Sequence, residues 1–284
     1  MTQRVLDWIG QRLSAGLRVA SATVLSAKGS VPGKPGAKLA LTDVDDRYGT
    51  IGGAGLEMKV IERLVELLNS EVSGGEVITY GLNKGAKGYE VTALDSLCGG
   101  QVTLSLEVVE PMPHLLLMGG GHVAAAIADV CTNMGWDHSV QDTRETYAGA
   151  EAFPSAREHH ANSVSEFFSD EDCDSIARFS NILLLGHDWS EDEERLASLL
   201  AIADPQRGRP QIGVIGSRSK WQAYAATCGE KGIEQSLIDS VQCPIGLAIG
   251  AESPEEIAIA VVGQIIADRK GVDPNNGSWR DTIS

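Results

Sequence analysis

The chain has 284 residues, 43% hydrophobic and 22% charged, as expected of a soluble globular protein of about two domains. Its 39 acidic and 23 basic residues leave a net charge of −16, which argues against nucleic acid or an anionic membrane surface as a partner. Small anionic ligands stay open, because glycine loops and helix N-termini bind anions whatever the global charge.

Val5, Leu6, Ile9 and Leu13 recur at helical spacing and predict an opening helix that ends near Gly16. Strands are expected over Val19 to Leu25 and Lys38 to Leu41. Between them lies Lys28-Gly29-Ser30-Val31-Pro32-Gly33-Lys34-Pro35-Gly36, too rich in glycine and proline for helix or central strand. Such a loop either turns a hairpin or presents N–H groups and ammonium charges to an anion. A second loop, Gly49-Thr50-Ile51-Gly52-Gly53-Ala54-Gly55, opens a helix whose apolar face is Leu56, Val60, Ile61, Leu64, Val65 and Leu68. Free N–H groups and the positive dipole end coincide there, which suits an anion. Glu57 in the first turn equally suits a purely structural helix start. A third glycine element, Asp95-Ser96-Leu97-Cys98-Gly99-Gly100, precedes the alternating strand Gln101 to Val108. A cysteine in a Gly-Gly turn is either a buried small hydrophobe or an exposed thiolate supported by N–H groups.

The apolar run Leu115 to Met118 leads into Gly119-Gly120-Gly121-His122-Val123-Ala124, which fits G-x-G-x-x-A. A helix over Val123 to Val130 is closed by Gly135, and Ser139-Val140 leads to Asp142, 23 residues after Gly119. Strand, glycines, helix and acid in this order predict a Rossmann-type unit with Asp142 on a ribose. Asp142 could instead pair with Arg144, and Arg144 could favour a phosphate. His122 either contacts a phosphate or faces solvent. Ile182 to Leu185 reads as a buried strand with Gly186-His187-Asp188 at its carboxyl end, where open α/β sheets bind ligands. His187 and Asp188 are either ligand-binding or a hydrogen-bonded pair in a turn. Ser190 with Glu193 reads as a capping box for the next helix. Gln211 to Ile215 is another buried strand, followed by Gly216, Ser217 and Lys220. Ser253, Pro254 and Glu256 start a final helix that Gly271 ends.

No apolar run reaches the ~18 residues of a membrane span, and no basic stretch with an apolar signal core opens the chain. A cytoplasmic protein is therefore expected. Cys98, Cys131, Cys173, Cys228 and Cys243 form no C-x-x-C pair and no zinc spacing. The expected fold class is α/β. An N-terminal mixed α/β domain (1–110) precedes a Rossmann-like doubly wound parallel-sheet domain (113–272) and a polar tail (273–284).

Together these elements resemble the XdhC/CoxI family, accessory proteins of molybdenum hydroxylases such as xanthine dehydrogenase. The resemblance rests on Gly29-Ser30-Val31-Pro32 with Gly36-Ala37, Ile51-Gly52-Gly53-Ala54-Gly55-Leu56-Glu57, and Cys98-Gly99-Gly100. It continues through Asp142-Thr143-Arg144, Phe153-Pro154, Gly186-His187-Asp188, Gly216-Ser217-Arg218-Ser219-Lys220 and Pro244 to Ala251. Gly33 stands where the family pattern carries arginine, with Lys34 beside it, and Ala54 replaces a third glycine. The resemblance implies a carrier of the molybdenum cofactor, molybdopterin. Its phosphate would rest on Gly29, Ser30, Lys34 and Gly36, or on Gly52, Gly53 and Gly55. Gly99 and Gly100 would adjoin it, with Cys98 at the metal or at the place of sulfur transfer. A cysteine desulfurase and an apo molybdenum hydroxylase are the implied partners, and a homodimer the implied assembly. The Rossmann half would take NAD(P) or another nucleotide through Gly119, Gly121, His122, Asp142, Arg144, His187 and Asp188. The alternative from another class is an NAD(P)-dependent oxidoreductase whose first domain carries substrate.

Overall fold

The computed structural model describes residues 2–44, 46–70, 74–82, 91–93, 99–204 and 209–274. The chain divides into two compact units, Met1–Met112 and Pro113–Ser284.

The first unit opens with α1 (Thr2–Ser14) and then forms β1 (Val19–Lys28), β2 (Lys38–Thr42), β3 (Arg47–Thr50), α2 (Ala54–Leu68), β4 (Gly75–Gly81), β5 (Val91–Ala93) and β6 (Gln101–Val109). The sheet order is β3-β2-β1-β6-β4-β5, antiparallel except where β4 pairs with β5. Alternation decides which side of the sheet is apolar. Ala20, Ala22 and Val24 of β1 lie beside Leu41, Leu39, Leu106 and Leu104 of the neighbouring strands. Small side chains on the central strand leave room for leucines on both flanks. The stripe Leu56, Val60, Leu64 and Leu68 of α2 closes this core. On the opposite face α1 buries Val5 and Trp8 against Val19 and Ala40. The segment between β1 and β2 turns a hairpin, closed where Gly36 N donates to Val24 O at 2.8 Å and Val24 N to Ala37 O.

The second unit contains β7 (His114–Met118), α3 (His122–Met134), β8 (Asp137–Asp142), α4 (Glu145–Ala148), β9 (His159–Ala161) and α5 (Val164–Ser169). It continues with β10 (Asn181–Leu184), α6 (Trp189–Ile202), β11 (Gln211–Val214), α7 (Arg218–Glu230), α8 (Gln235–Asp239) and α9 (Pro254–Lys270). Its five strands are parallel in the order β11-β10-β7-β8-β9. Numbered within the unit, that is the 3-2-1-4-5 order of a doubly wound sheet, read from the opposite edge. Every residue of β7 is buried, because both faces are covered. Leu115 and Leu117 face α3 and α9 through Ile127, Val261 and Ile265. Leu116 and Met118 face α6 and α7 through Leu196, Leu199 and Tyr224. The direction of winding reverses between β7 and β10, so the loops after these strands flank the switch point.

Helix ends follow the expected chemistry with one correction. Ser253 and Glu256 form the capping box of α9, Pro254 occupies its first turn, and Gly271 ends it in the left-handed conformation. The box expected from Ser190 and Glu193 does not form. Asp188 is the N-cap of α6, and its Oδ1 accepts from the amides of Ser190 and Glu191. A carboxylate two residues earlier captures the free N–H groups, so the helix begins at Trp189.

Two histidines are buried at the starts of β7 and β8. His114 Nε2 lies 2.7 Å from Ser139 Oγ, while among the described residues its Nδ1 and both nitrogens of His138 have no hydrogen-bond partner. Burial lowers the pKa of both, that of His114 to about 4. The unfolded chain protonates near the ordinary 6.5, so acid draws protons to the unfolded state. The His114 contribution is complete above pH 6.5 and is lost as pH falls toward 4. It amounts to about 3 kcal/mol over that window. Urea midpoints of wild type and His114→Gln at pH 7 and 4.5 check this: the variant should show the shallower pH dependence.

Candidate functional site

In the first unit three glycine loops meet. An ideal Cβ on Gly33 would lie 2.2 Å from Ile51 O, and one on Gly52 2.6 Å from Pro32 O. One on Gly53 would meet the Pro32 ring at 2.4 Å, and one on Gly100 the carbonyls of Lys28 and Ser30 at 2.6 and 2.7 Å. The segments 28–33, 51–53 and 99–100 thus touch backbone to backbone. These glycines are required by packing. Gly52 and Gly53 also adopt φ of +81° and +79°, which disfavour a side chain.

Glu57 ties the second loop. Its Oε2 accepts from Thr50 Oγ1 at 2.5 Å and from Ile51 N at 3.3 Å, and Thr50 Oγ1 accepts from Gly52 N at 3.1 Å. The acid in the first turn of α2 is a loop fastener.

Other glycines behave differently. Among the described residues nothing lies within 4 Å of a Cβ added to Gly55 or Gly99. The N-cap Gly53 supplies no side chain to the first amides of α2, which leaves that helix start to a ligand or water. Ser30, Lys28 and Lys34 are exposed in the first loop, whose Pro32 and Gly33 touch Ile51 to Gly53, and among the described residues no carboxylate pairs with either ammonium. Gly36 is likewise open, at φ +86° in the hairpin turn. Cys98, covalently next to Gly99, lies outside the described residues, as does Trp279.

At the carboxyl edge of the second sheet, Gly119 (φ +103°) packs against Gly186, with an ideal Cβ 2.7 Å from its Cα. The loops after β7 and β10 therefore meet at the switch point. Gly121 is the N-cap of α3 and is open, and His122 begins the helix in solvent. His187 is exposed, and Asp188 caps α6 rather than pairing with it. Asp142 is buried and accepts from Gly120 N, Arg144 N, Arg144 Nε and Arg144 Nη2 at 2.9, 3.0, 2.9 and 2.9 Å. Burial opposes its ionisation, but the bonds from Arg144 and Gly120 outweigh this and hold the carboxyl below its usual range. The structure gives the Arg144 pairing.

Sequence reading missed a charged cluster beneath this edge. Asp192 and Arg195 of α6 are 0% and 1% exposed. Asp192 Oδ1 accepts from Arg195 Nη1 at 3.0 Å, and Oδ2 from Lys220 Nζ at 2.9 Å. Arg195 Nε reaches Gln141 Oε1, and Lys220 Nζ donates to Gly186 O. Arg195 Nη2 stands 3.3 Å from Glu191 Oε2, an ion-pair distance without hydrogen-bond geometry. The cluster ties α6 and α7 to the end of β8 and to the loop after β10. An added Cβ at Gly186 would lie 2.2 Å from Asp192 Oδ1, so the glycine admits the pair. An Asp and an Arg three apart on a helix look like a solvated face, and only Lys220 was visible beforehand as part of a motif. Among the described residues no group of His, Cys, Asp and Glu side chains is placed to hold a metal.

Comparison with known proteins agrees with this layout. The profile of the XdhC Rossmann domain matches residues 115–265, more than half the chain, and that of the XdhC and CoxI family matches residues 12–81. The chain belongs to the XdhC and CoxI family. It is 31% identical over 251 residues to YqeB of Escherichia coli K12, covering 87% of this chain and 43% of that protein. It is 28% identical over 172 residues to a protein of Bacillus subtilis 168 described as a probable xanthine dehydrogenase component, covering 59% of this chain and 46% of that one. The chain thus spans less than half the length of either relative. A crystal structure of a xanthine dehydrogenase from Bacillus halodurans aligns over 98% of both chains, with a TM-score of 0.48 and 18% identity.

Proposed function

We propose that this family member is an accessory protein of a xanthine dehydrogenase-type molybdenum hydroxylase. It binds the molybdenum cofactor in its first unit, supports its sulfuration and delivers it. The observation that carries this reading is the meeting of three glycine loops beside an uncapped helix start. Phosphate is the part of the pterin that such a place suits, because amides and helix dipole point the same way. The amides at the start of α2 bind the phosphate, with Lys28 and Lys34 adding charge. Gly55 and Gly99 leave room for the ring system, and Gly33, Gly52, Gly53 and Gly100 fix the loops. Ser30 offers a hydroxyl to the same ligand.

When bound, the cofactor supplies the molybdenum on which sulfur is installed. The residues of this chain bind and orient it and shield it from water. Cys98 is assigned the position nearest the metal, since a soft thiolate suits molybdenum and sulfur chemistry. A cysteine desulfurase supplies the sulfur, and an apo-hydroxylase receives the cofactor. A homodimer and a cytoplasmic location complete the reading; among the described residues no helix is long and apolar enough to cross a membrane.

The test compares wild type with Cys98→Ala, both purified anaerobically from a cofactor-producing host. The variant should keep the wild-type melting temperature and lose most of its bound molybdenum and pterin. Equal cofactor content in both proteins would remove Cys98 from the site.

A further inference from the structure

The glycine fingerprint of the second unit carries an expectation of NAD(P), and the geometry around Asp142 bears on it directly. An ionised carboxylate offers about four acceptor positions. Gly120 N and three groups of Arg144 fill them, and the side chain is 2% exposed. In a dinucleotide-binding Rossmann unit this carboxylate takes the ribose hydroxyls, and the glycine loop lies open to the pyrophosphate. Here the segment after β8 folds over that loop. An ideal Cβ on Gly120 would lie 1.7 Å from Tyr147 O and 3.2 Å from the Phe153 ring. The Arg144 guanidinium stacks 3.9 Å above the Tyr147 ring, which fixes its fork toward Asp142. Thr143 is fastened in turn, donating to Glu191 Oε1 at 3.0 Å.

A 2′-phosphate fares no better than a free ribose. Drawing Arg144 away to meet it would strip a buried carboxylate of its guanidinium donors, among the more expensive changes in a folded interior.

We infer that Asp142 is a latch between the glycine loop and Arg144, and that this Rossmann half takes neither NAD nor NADP in the dehydrogenase manner. The fingerprint here serves close packing: Gly119 meets Gly186, and Gly120 meets Tyr147. The second unit is thereby a scaffold at its carboxyl edge, and hydride chemistry is not its task. The inference stands apart from cofactor binding in the first unit, and either can fail alone.

The experiment titrates the full chain with NAD+, NADH, NADP+ and NADPH by calorimetry, and melts wild type, Asp142→Asn and Arg144→Lys. No dinucleotide should saturate wild type below ~1 mM. Asp142→Asn should lower the melting temperature of the second unit by about 5 °C or more, and Arg144→Lys by a smaller amount. If Asp142→Asn fails to fold, the latch is supported, and the wild-type titration decides the rest. A dissociation constant below ~0.1 mM for any of the four overturns the inference. So does an Asp142→Asn melting temperature equal to that of wild type.

Discussion

Gly120→Ala is expected to destabilise the second unit by more than ~4 kcal/mol, whereas Gly121→Ala changes stability by less than ~0.5 kcal/mol. The two positions are adjacent and both belong to the fingerprint. They differ in what an added methyl meets. At Gly120 it would stand 1.7 Å from the Tyr147 carbonyl oxygen and 2.8 Å from its carbon. Both are backbone atoms, so no rotamer change relieves the clash. Moving that backbone also pulls Gly120 N from Asp142 and leaves a buried carboxylate short of a donor. Overpacking alone typically costs about 1–3 kcal/mol, and the broken bond adds to it. At Gly121 φ is −75° and no described residue lies within 4 Å of an added Cβ, so alanine fits. Urea unfolding of the two variants, followed by tryptophan fluorescence, checks the contrast. Similar midpoints would mean that the segment 147–153 does not cover the glycine loop.

The second large effect separates stability from ligand retention in the first unit. Gly33→Ala should lower its melting temperature and its cofactor content together, because the methyl would sit 2.2 Å from Ile51 O and pry two loops apart. Gly33→Arg, the residue of the wider family pattern, should do so more strongly. Gly55→Ala should do the opposite to stability. It fills open space in the first turn of α2, where alanine is favoured over glycine by up to about 1 kcal/mol. The same methyl occupies room assigned to the cofactor, so bound pterin should fall on the order of tenfold, equivalent to about 1.4 kcal/mol of binding. Melting curves paired with pterin content decide it. Gly55→Ala with undiminished pterin would move the ligand away from this helix start.

Much of the architecture is legible in the sequence, for reasons that can be named. The stripe Leu56, Val60, Leu64 and Leu68 announces α2 because its period matches the turn of a helix. The run Leu115 to Met118, with glycines after it, announces a strand buried on both faces. Ser253, Pro254, Glu256 and Gly271 bound α9 by local chemistry alone. Strands β3, β4 and β5 gave no such signal: β3 has four residues, two of them half-buried, and shares Gly49-Thr50 with the loop. The start of α6 was misplaced because Asp188 and Ser190 are both good caps, and only the three-dimensional path of the chain chooses between them.

The candidate site was legible as three separate loops but not as one place. Nothing in linear order says that Gly33 lies on Ile51, or Gly100 on Lys28, since these contacts are made by strand pairing across β1, β2 and β6. The motif carries two kinds of glycine that look alike in sequence. Gly33, Gly52 and Gly100 admit neighbouring backbone, while among the described residues nothing lies within 4 Å of a Cβ on Gly55 or Gly99. Asp142 shows the same limit in reverse. Its spacing from Gly119 suits a ribose ligand, and its four hydrogen bonds close it to one.

The most direct test of cofactor binding is the pterin and molybdenum content of the wild-type protein, purified anaerobically from a cofactor-producing host. Oxidised-pterin fluorescence and elemental analysis should give near-stoichiometric amounts of both. Repeated purification with neither present, from a host shown to make the cofactor, would contradict it.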